Sequence, residues 1–251
     1  MLKALQQKLP NEHFIYYGDT AHLPYGNKSE EALQSYVRDI VQYLLKRECK
    51  LIVVACNSAA TVLRNIENLP YPKEKIIEVI SPVVDLIAEQ TKYTNIGIIG
   101  TRKTIGSGMF NGTLTQRNKT LALVTRATPL LVPLIEDGFV EEKVLFPVFE
   151  RYFQGFEKCE LLIPACTHYP IIYKQIEAFF KHKLKVLHTP KIVAESAEAR
   201  LHALNLLNQE CHKHSDDEYH LSDVTKDFEH SAMFFLEKEV HFQRTLLPVV
   251  Y

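Results

Sequence analysis

The stretch that decides the fold is Cys49-Lys-Leu-Ile-Val-Val-Ala-Cys56-Asn-Ser58, because it reappears as Cys159-Glu-Leu-Leu-Ile-Pro-Ala-Cys166-Thr-His168. Each copy has the pattern of a buried strand that ends in an Ala-Cys pair, followed by small polar residues where a helix can begin. Two related halves facing each other would place Cys56 and Cys166 on opposite walls of one cleft. Buried strands also resemble one another by chance, so the repeat alone leaves that alternative open.

Seven short runs of aliphatic and β-branched residues alternate with helical patterns along the chain. Nearly all of them lack the polar alternation of a half-exposed strand, which indicates strands covered on both faces. The runs are Phe14 to Tyr17, Leu51 to Ala55, Ile76 to Ile80, Ile96 to Ile99, Leu121 to Thr125, Leu161 to Pro164 and Lys185 to His188. They predict an α/β fold with mainly parallel sheets flanked by helices, whose ligands bind at the carboxyl ends of strands.

The clearest helical pattern follows Ser29, a predicted N-cap. Leu33, Val37, Val41 and Leu44 recur there at helical spacing, which predicts an amphipathic helix. Weaker patterns of the same kind predict helices at Phe139 to Phe153, Ile171 to Phe180, Ile192 to Leu207 and Lys226 to Leu236.

The composition excludes several classes of partner. The 251 residues include 29 Lys plus Arg against 30 Asp plus Glu, a formal net charge of −1, so no basic field indicates a nucleic acid or an anionic membrane. No apolar run approaches the roughly 20 residues that span a bilayer, and no signal-peptide core is present. We therefore expect a cytoplasmic protein with reduced cysteines and a small-molecule partner.

The two cysteines within each copy of the repeat lie too far apart to share a metal ion or to form a disulfide. Seven residues of strand separate Cys49 from Cys56 by roughly 23 Å, too far for a shared zinc ion or a disulfide. The same spacing holds for Cys159 and Cys166. Cys49 and Cys159 are therefore interpreted as structural.

The later cysteine of each pair stands where function is expected. A thiol at a strand-to-helix junction is stabilised as thiolate by the helix start, which lowers its usual pKa of about 8.5. Two such thiols on opposite sides of one carbon could remove a proton from one face and deliver another to the opposite face, which inverts a stereocentre. Glu136 and His168 are candidate assisting acid/base groups. Taken alone, His168 could be a structural histidine and Glu136 a charge at a helix end.

Two other patterns resemble cofactor or metal sites but do not fit them. Cys211 and His214, with His220 beyond, suggest a metal cluster, yet the acidic residues around them read as a solvated loop, and no metal is expected. The glycines between Gly97 and Gly108 do not match a dinucleotide fingerprint, so no nicotinamide cofactor is expected.

Five motifs in succession resemble the signatures of the glutamate racemases. They are Gly18-Asp-Thr-Ala-His-Leu-Pro-Tyr-Gly-Asn-Lys-Ser29, Val53-Val-Ala-Cys-Asn-Ser-Ala59, Ile98-Ile-Gly-Thr101, Pro129-Leu-Leu-Val-Pro-Leu-Ile-Glu136 and Ala165-Cys-Thr-His-Tyr-Pro170. The resemblance implies two pseudo-symmetric α/β domains, residues 1–80 plus 195–251 and residues 81–194, with the active site between them. It also implies interconversion of L- and D-glutamate without cofactor or metal, supplying D-glutamate for peptidoglycan, and a homodimer is compatible with it.

The same resemblance assigns roles to individual residues. Cys56 and Cys166 would be the catalysts, and His168 and Glu136 would assist them. The substrate contacts would be Pro24, Tyr25, Gly26, Asn27, Asn57, Ser58, Thr167 and His168. Related aspartate racemases typically carry Glu at the position of His168, so glutamate is favoured. A racemase for another acidic amino acid, and a catalytically silent amino-acid-binding protein, stay as alternatives.

The start of the chain departs from the family pattern. The family opens with a buried strand ending in Asp-Ser-Gly, whereas Leu2 to Leu9 here resembles the helix that follows that strand. We therefore expect the inner strand and its carboxylate to lie outside this sequence, and a chain extended upstream to be more stable and more active.

Overall fold

The computed structural model describes residues 1–66, 69, 71–90, 92–210, 216–225, 228 and 240–247. The helices are α1 (Leu2–Lys8), α2 (Glu30–Lys46), α3 (Asn57–Leu63), α4 (Ser81–Gln90), α5 (Arg102–Gly106), α6 (Met109–Arg117), α7 (Leu131–Glu136), α8 (Glu142–Tyr152), α9 (Tyr173–Phe179) and α10 (Thr189–Ala203). The strands are β1 (Ile15–Gly18), β2 (Ile52–Val54), β3 (Ile76–Glu78), β4 (Asn95–Gly100), β5 (Ala122–Ala127), β6 (Leu161–Ala165), β7 (Lys185–Val186), β8 (Glu218–Leu221) and β9 (Phe242–Arg244).

The largest sheet is parallel and has the strand order β5-β4-β6-β7. Successive side chains of a strand point to opposite faces, and β4 shows the result. Ile96 and Ile98 belong to a core shared with α4, α6 and α10, whereas Ile99 belongs to an aromatic core with Phe149 and Phe156. Both faces of β4 are therefore covered by helices, as the apolar pattern predicted.

The remaining strands form two smaller parallel sheets, β1-β8-β9 and β2-β3. Helix α2 covers one face of β2, where Val37 and Val41 pack in the same core as Ile52. On the other face, Val53 packs against the core that includes Leu5 of α1. The first part of the chain thus repeats the layered arrangement of the large sheet with shorter strands.

All seven predicted strands are present, with ends shifted by a few residues. The N-cap prediction is confirmed, since the Ser29 hydroxyl oxygen accepts a hydrogen bond from the Ala32 N–H. Coverage on both faces is wrong for β5, whose residues are mostly exposed or half-buried because it is an edge strand.

Two strands were not predicted, and one predicted helix cannot be compared with the structure. Strands β8 and β9 were missed because they are short and carry charged or polar residues. The predicted helix from Lys226 to Leu236 falls almost entirely outside the described residues. The described part of the chain contains no helix long and apolar enough to cross a bilayer.

Replacing Gly97 with Ala tests how tightly the large sheet packs. A Cβ at Gly97 would lie 2.6 Å from ring atoms of Phe156, so we expect Gly97→Ala to lower the free energy of unfolding by about 1–3 kcal/mol. Gly112→Ala is the control, because Gly112 lies inside α6 with no neighbouring atom within 4 Å. That change should leave stability unchanged or raise it by up to about 1 kcal/mol. Equal effects of the two substitutions in chemical denaturation would contradict the described packing.

Candidate active site

One cavity of about 840 Å³ collects the residues that the sequence singled out. It lies at the carboxyl ends of β1, β2 and β6, where parallel strands present their ligand-binding edge. All of the predicted site residues line it, namely Pro24, Tyr25, Gly26, Asn27, Cys56, Asn57, Ser58, Glu136, Cys166, Thr167 and His168. Residues more than 100 positions apart in the sequence therefore meet at one site.

Cys56 follows β2 and is the N-cap of α3. Burial, the largest influence, raises the pKa of its thiol to about 11, and the nearby Cys166 adds to the rise. The backbone N–H groups of Ala59 and Ser58 act in the opposite direction but are outweighed. The expectation that the helix start would lower this pKa is therefore wrong for Cys56. The loss of hydration destabilises the thiolate by more than the hydrogen bonds from the helix N–H groups stabilise it.

Cys166 lies in a different environment at the end of β6. Its sulfur is 3.7 Å from Nδ1 of His168, and the other ring nitrogen, Nε2, is 3.1 Å from a carboxylate oxygen of Glu136. A protonated imidazole in this position donates to the sulfur on one side and to the carboxylate on the other. Cys166, His168 and Glu136 thus form a continuous chain of acid/base groups.

The pKa of His168 reflects those two neighbours. Burial acts to lower it, but the hydrogen bonds to Cys166 and Glu136, together with their negative charge, raise it to about 10. The imidazole therefore stays protonated at neutral pH and places its positive charge beside the sulfur of Cys166. Cys56 therefore presents a neutral thiol to the cavity, whereas Cys166 lies beside a protonated histidine.

The loop after β1 is held in place by Asp19, a residue that the sequence analysis did not single out. Its side chain is only 9% exposed and accepts hydrogen bonds from the Tyr25 hydroxyl at 2.5 Å and from Nδ1 of His22 at 2.8 Å. The ring of His22 stacks on Tyr36 of α2, with centroids 4.1 Å apart. A carboxylate immediately after the carboxyl end of a predicted strand was the available signal for Asp19.

Burial and the bond to Asp19 raise the pKa of Tyr25, so its hydroxyl remains a donor. Asp19 thereby fixes the segment from Pro24 to Asn27 on the cavity wall.

Thr101, the N-cap of α5, joins the two sides of the cavity. Its hydroxyl oxygen lies 2.9 Å from that of Ser58 and 3.0 Å from that of Thr104. A Cβ at Gly26 would lie 2.9 Å from the Thr101 Cβ, so only glycine allows the loop to approach this closely. The Ser58 hydroxyl thus bonds within the protein as well as lining the cavity. The sequence contained the Thr101 motif but gave no sign of this contact.

Comparison with known proteins agrees with this arrangement. A family model described as Asp/Glu/Hydantoin racemase matches residues 1–197. The glutamate racemase of Chlorobaculum tepidum is 34% identical over 242 residues, covering 96% of this chain and 89% of the relative. That of Chlorobaculum parvum is 36% identical over 211 residues, covering 83% and 78%.

Two solved structures are similar over almost the whole chain. A glutamate racemase isoform from Bacillus anthracis superimposes with a TM-score of 0.90 at 27% identity, covering 99% of this chain and 93% of that one. The Francisella tularensis glutamate racemase in complex with D-glutamate gives 0.86 at 26% identity, covering 99% and 92%. With a family model matched over most of its length and relatives above 30% identity, the chain belongs to the Asp/Glu/hydantoin racemase family.

Proposed function

We propose that this protein is a glutamate racemase, an isomerase that interconverts L- and D-glutamate without a cofactor. The observation that carries the proposal is the pair Cys56 and Cys166, which stand at the ends of two repeated strands and line one cavity. The two curated relatives and both solved structures described above are glutamate racemases, and one of the structures contains D-glutamate.

The proposed reaction transfers two protons. The Cys166 thiolate takes the α-proton as the Cα–H bond breaks, and the electron pair left on the carbon takes a proton from the Cys56 thiol on the opposite face. Cys166 is then neutral and Cys56 is the thiolate, which is the starting state for the reverse direction. Once Cys166 has lost its negative charge, it no longer raises the pKa of Cys56. The forward proton transfer thus removes one cause of the raised pKa of Cys56 and so stabilises its new thiolate.

Substrate binding is assigned to the polar residues around the two sulfurs. Asn57, Ser58 and Thr167 supply N–H groups and side chains beside the cysteines, which suit the carboxylates and amine of an amino acid. The loop from Pro24 to Asn27 covers the same cavity. We further propose that the reaction takes place in the cytoplasm, where thiols stay reduced, and that its D-glutamate is used for peptidoglycan.

Incubation with each enantiomer of glutamate in deuterated water tests the proposal. Circular dichroism should show loss of optical activity whether the reaction starts from L- or from D-glutamate. The product should carry deuterium at the α-carbon. Aspartate is the comparison substrate. A clear preference for aspartate, or binding of glutamate without α-proton exchange, would contradict the assignment.

Replacement of either catalyst should abolish turnover. We expect Cys56→Ser and Cys166→Ser each to lower kcat by at least roughly 10²–10⁴-fold in both directions, because a hydroxyl is a far weaker acid/base group at neutral pH. Cys49→Ser and Cys159→Ser, at the starts of the same repeats, are the matched controls and should retain most activity. Near-normal rates in either catalytic variant would show that two thiols are not required.

The pH profile tests the role of Glu136. His168 holds its proton up to a pKa of about 10 because Cys166 and Glu136 favour the imidazolium, and that charge is lost as the pH rises through this value. Glu136→Gln removes one cause of the raised pKa, so the NMR titration of the His168 ring should move to lower pH, by about one unit. The alkaline limb of kcat/KM should move with it. Asp137→Asn, the same charge change one residue later, should move neither.

Asp19 should act through the loop rather than on the reacting carbon. Asp19→Asn weakens the charged acceptor for Tyr25 and His22, so we expect KM to rise about tenfold, the value of one hydrogen bond to a charged group. The value of kcat should fall much less. Asp39→Asn, which removes the same charge from α2, is the control and should leave KM near its original value. Equal loss of kcat and kcat/KM in Asp19→Asn would instead place Asp19 in the chemical step.

A further inference from the structure

A buried pair of hydroxyl groups lies at the wall of the cavity. Thr128 follows β5 and Tyr169 follows His168, and both side chains are fully buried. The hydroxyl oxygen of Thr128 is 2.6 Å from that of Tyr169. Thr128 lines the cavity, whereas Tyr169 packs in the aromatic core behind it. Neither residue has a part in the reaction described above.

The direction of this hydrogen bond follows from the second contact of Thr128. Its hydroxyl also lies 3.3 Å from the carbonyl oxygen of Gly100, which can only accept. Thr128 therefore donates its proton to Gly100, and the Tyr169 hydroxyl donates to Thr128. Burial and the nearby Cys166 raise the pKa of Tyr169, so its hydroxyl keeps the proton that this bond needs. The pair is thus a directed link from the turn after β6 to the carboxyl end of β4.

The two hydroxyl groups join the segments that carry the assisting acid/base groups. The carbonyl oxygen of Thr128 accepts a hydrogen bond from the N–H of Leu131, the first residue of α7. Glu136 is the last residue of the same short helix. Tyr169 immediately follows His168 in the turn after β6. The hydrogen bond therefore connects α7 to this turn, next to the residue that contacts Glu136.

The contact between His168 and Glu136 needs support of this kind. It is 3.1 Å long, yet the two side chains are 33% and 41% exposed, so water competes for both groups. An ion pair with that exposure contributes little to holding two segments together. Ile135 of α7 shares the apolar core with Tyr169, but apolar packing is non-directional. The bond between the two hydroxyl groups is directional and shielded from water.

We propose that Thr128 and Tyr169 are positioning residues, whose hydrogen bond sets the distance between the two assisting acid/base groups. The inference rests on the proposed function, since Glu136 and His168 are the groups assigned to that reaction. Loss of the Thr128 hydroxyl would leave the buried hydroxyl of Tyr169 without its acceptor, which favours a small shift of the turn relative to α7. The carboxylate of Glu136 would then move away from Nε2 of His168, and the imidazolium would lose part of its stabilisation.

The charged and titratable groups around this site determine what a titration can report. Cys166 and Tyr152 lie near the hydroxyl of Tyr169, while Cys166 and Glu136 face the ring of His168. A change in the pKa of His168 therefore reports on its distance from Cys166 or from Glu136. Substitution of Glu136 separates these two contributions.

NMR titration of the His168 ring in the unliganded protein tests the proposal, with His168→Gln used to identify the signal. Thr128→Val keeps the shape of the side chain but removes the hydroxyl, and we expect it to lower the pKa of His168 by about one unit. Tyr169→Phe should have the same effect. Thr128→Ser keeps the hydroxyl and should keep the original titration. The alkaline limb of kcat/KM should move with the titration in each variant.

Tyr173→Phe is the matched control. Tyr173 is buried in the same core and also lies near Cys166. Its hydroxyl oxygen is 3.4 Å from that of Thr189, at the start of α10. The substitution thus also removes a buried contact between tyrosine and threonine, but one that does not involve α7. It should leave the titration of His168 unchanged.

A double-mutant cycle shows whether the pair acts through Glu136. In Glu136→Gln the charged contact with His168 is already lost, so the positioning of residue 136 matters less. Adding Thr128→Val to this variant should lower the pKa of His168 by less than half as much as Thr128→Val does alone, because residues that act through one contact are not additive.

Three results would overturn the proposal. They are an unchanged titration of His168 in the folded variants, an equal change in Tyr173→Phe, and an equal effect of Thr128→Val with and without Glu136. If Thr128→Val does not fold, Tyr169→Phe carries the same test from the other end of the bond. The titration needs no turnover, so its failure and the failure of the racemase assignment are distinguishable.

Discussion

Parallel pairing of the strands is the constraint on which the site depends. In every strand pair of the described residues the two strands run in the same direction, so each sheet presents all of its carboxyl ends along one edge. Cys166 directly follows the end of β6, and Cys56 follows the end of β2 after one intervening residue. The cavity forms where these edges face each other, and the two sulfurs reach it without any special loop. Helix α3 starts immediately after Cys56, and a short 3-10 turn from Tyr169 to Ile172 starts three residues after Cys166.

The two thiols are chemically unequal although their strands are repeats. At Cys56 desolvation dominates and keeps the proton on sulfur, while Cys166 has the protonated ring of His168 as its neighbour. The proposed reaction needs one acid and one base at its start. In the reaction proposed above, the thiol of Cys56 is the acid and the sulfur of Cys166, beside the protonated His168, is the base. Glu136 contributes indirectly: it binds the second ring nitrogen of His168 and helps to raise the pKa of that histidine.

Much of this arrangement could be predicted from the chain alone, for definite reasons. Apolar runs without polar alternation indicate buried strands, so the seven strands were found, although β5 is an exposed edge strand. The repeat suggested that Cys56 and Cys166 would meet at one cavity. The charge state of Cys56 could not be predicted, because it depends on how completely neighbouring elements exclude water. Asp19 and Thr101 were overlooked for a related reason. Their partners are set by loop geometry, and neither hydrophobic period nor spacing encodes it.

The contact of Thr101 with Gly26 and Ser58 has a consequence for motion. Thr101 follows a strand of the large sheet, whereas its two neighbours belong to elements around the smaller sheets, so Thr101 connects the two walls of the cavity through direct contacts. Any widening of the cleft that admits or releases an amino acid must either pivot about these contacts or break them. A pivot there would swing the distal rim of the cleft widely while the region around Ser58 moves little. The enzyme could then exchange ligand without rebuilding the polar surroundings of Cys56 in each cycle.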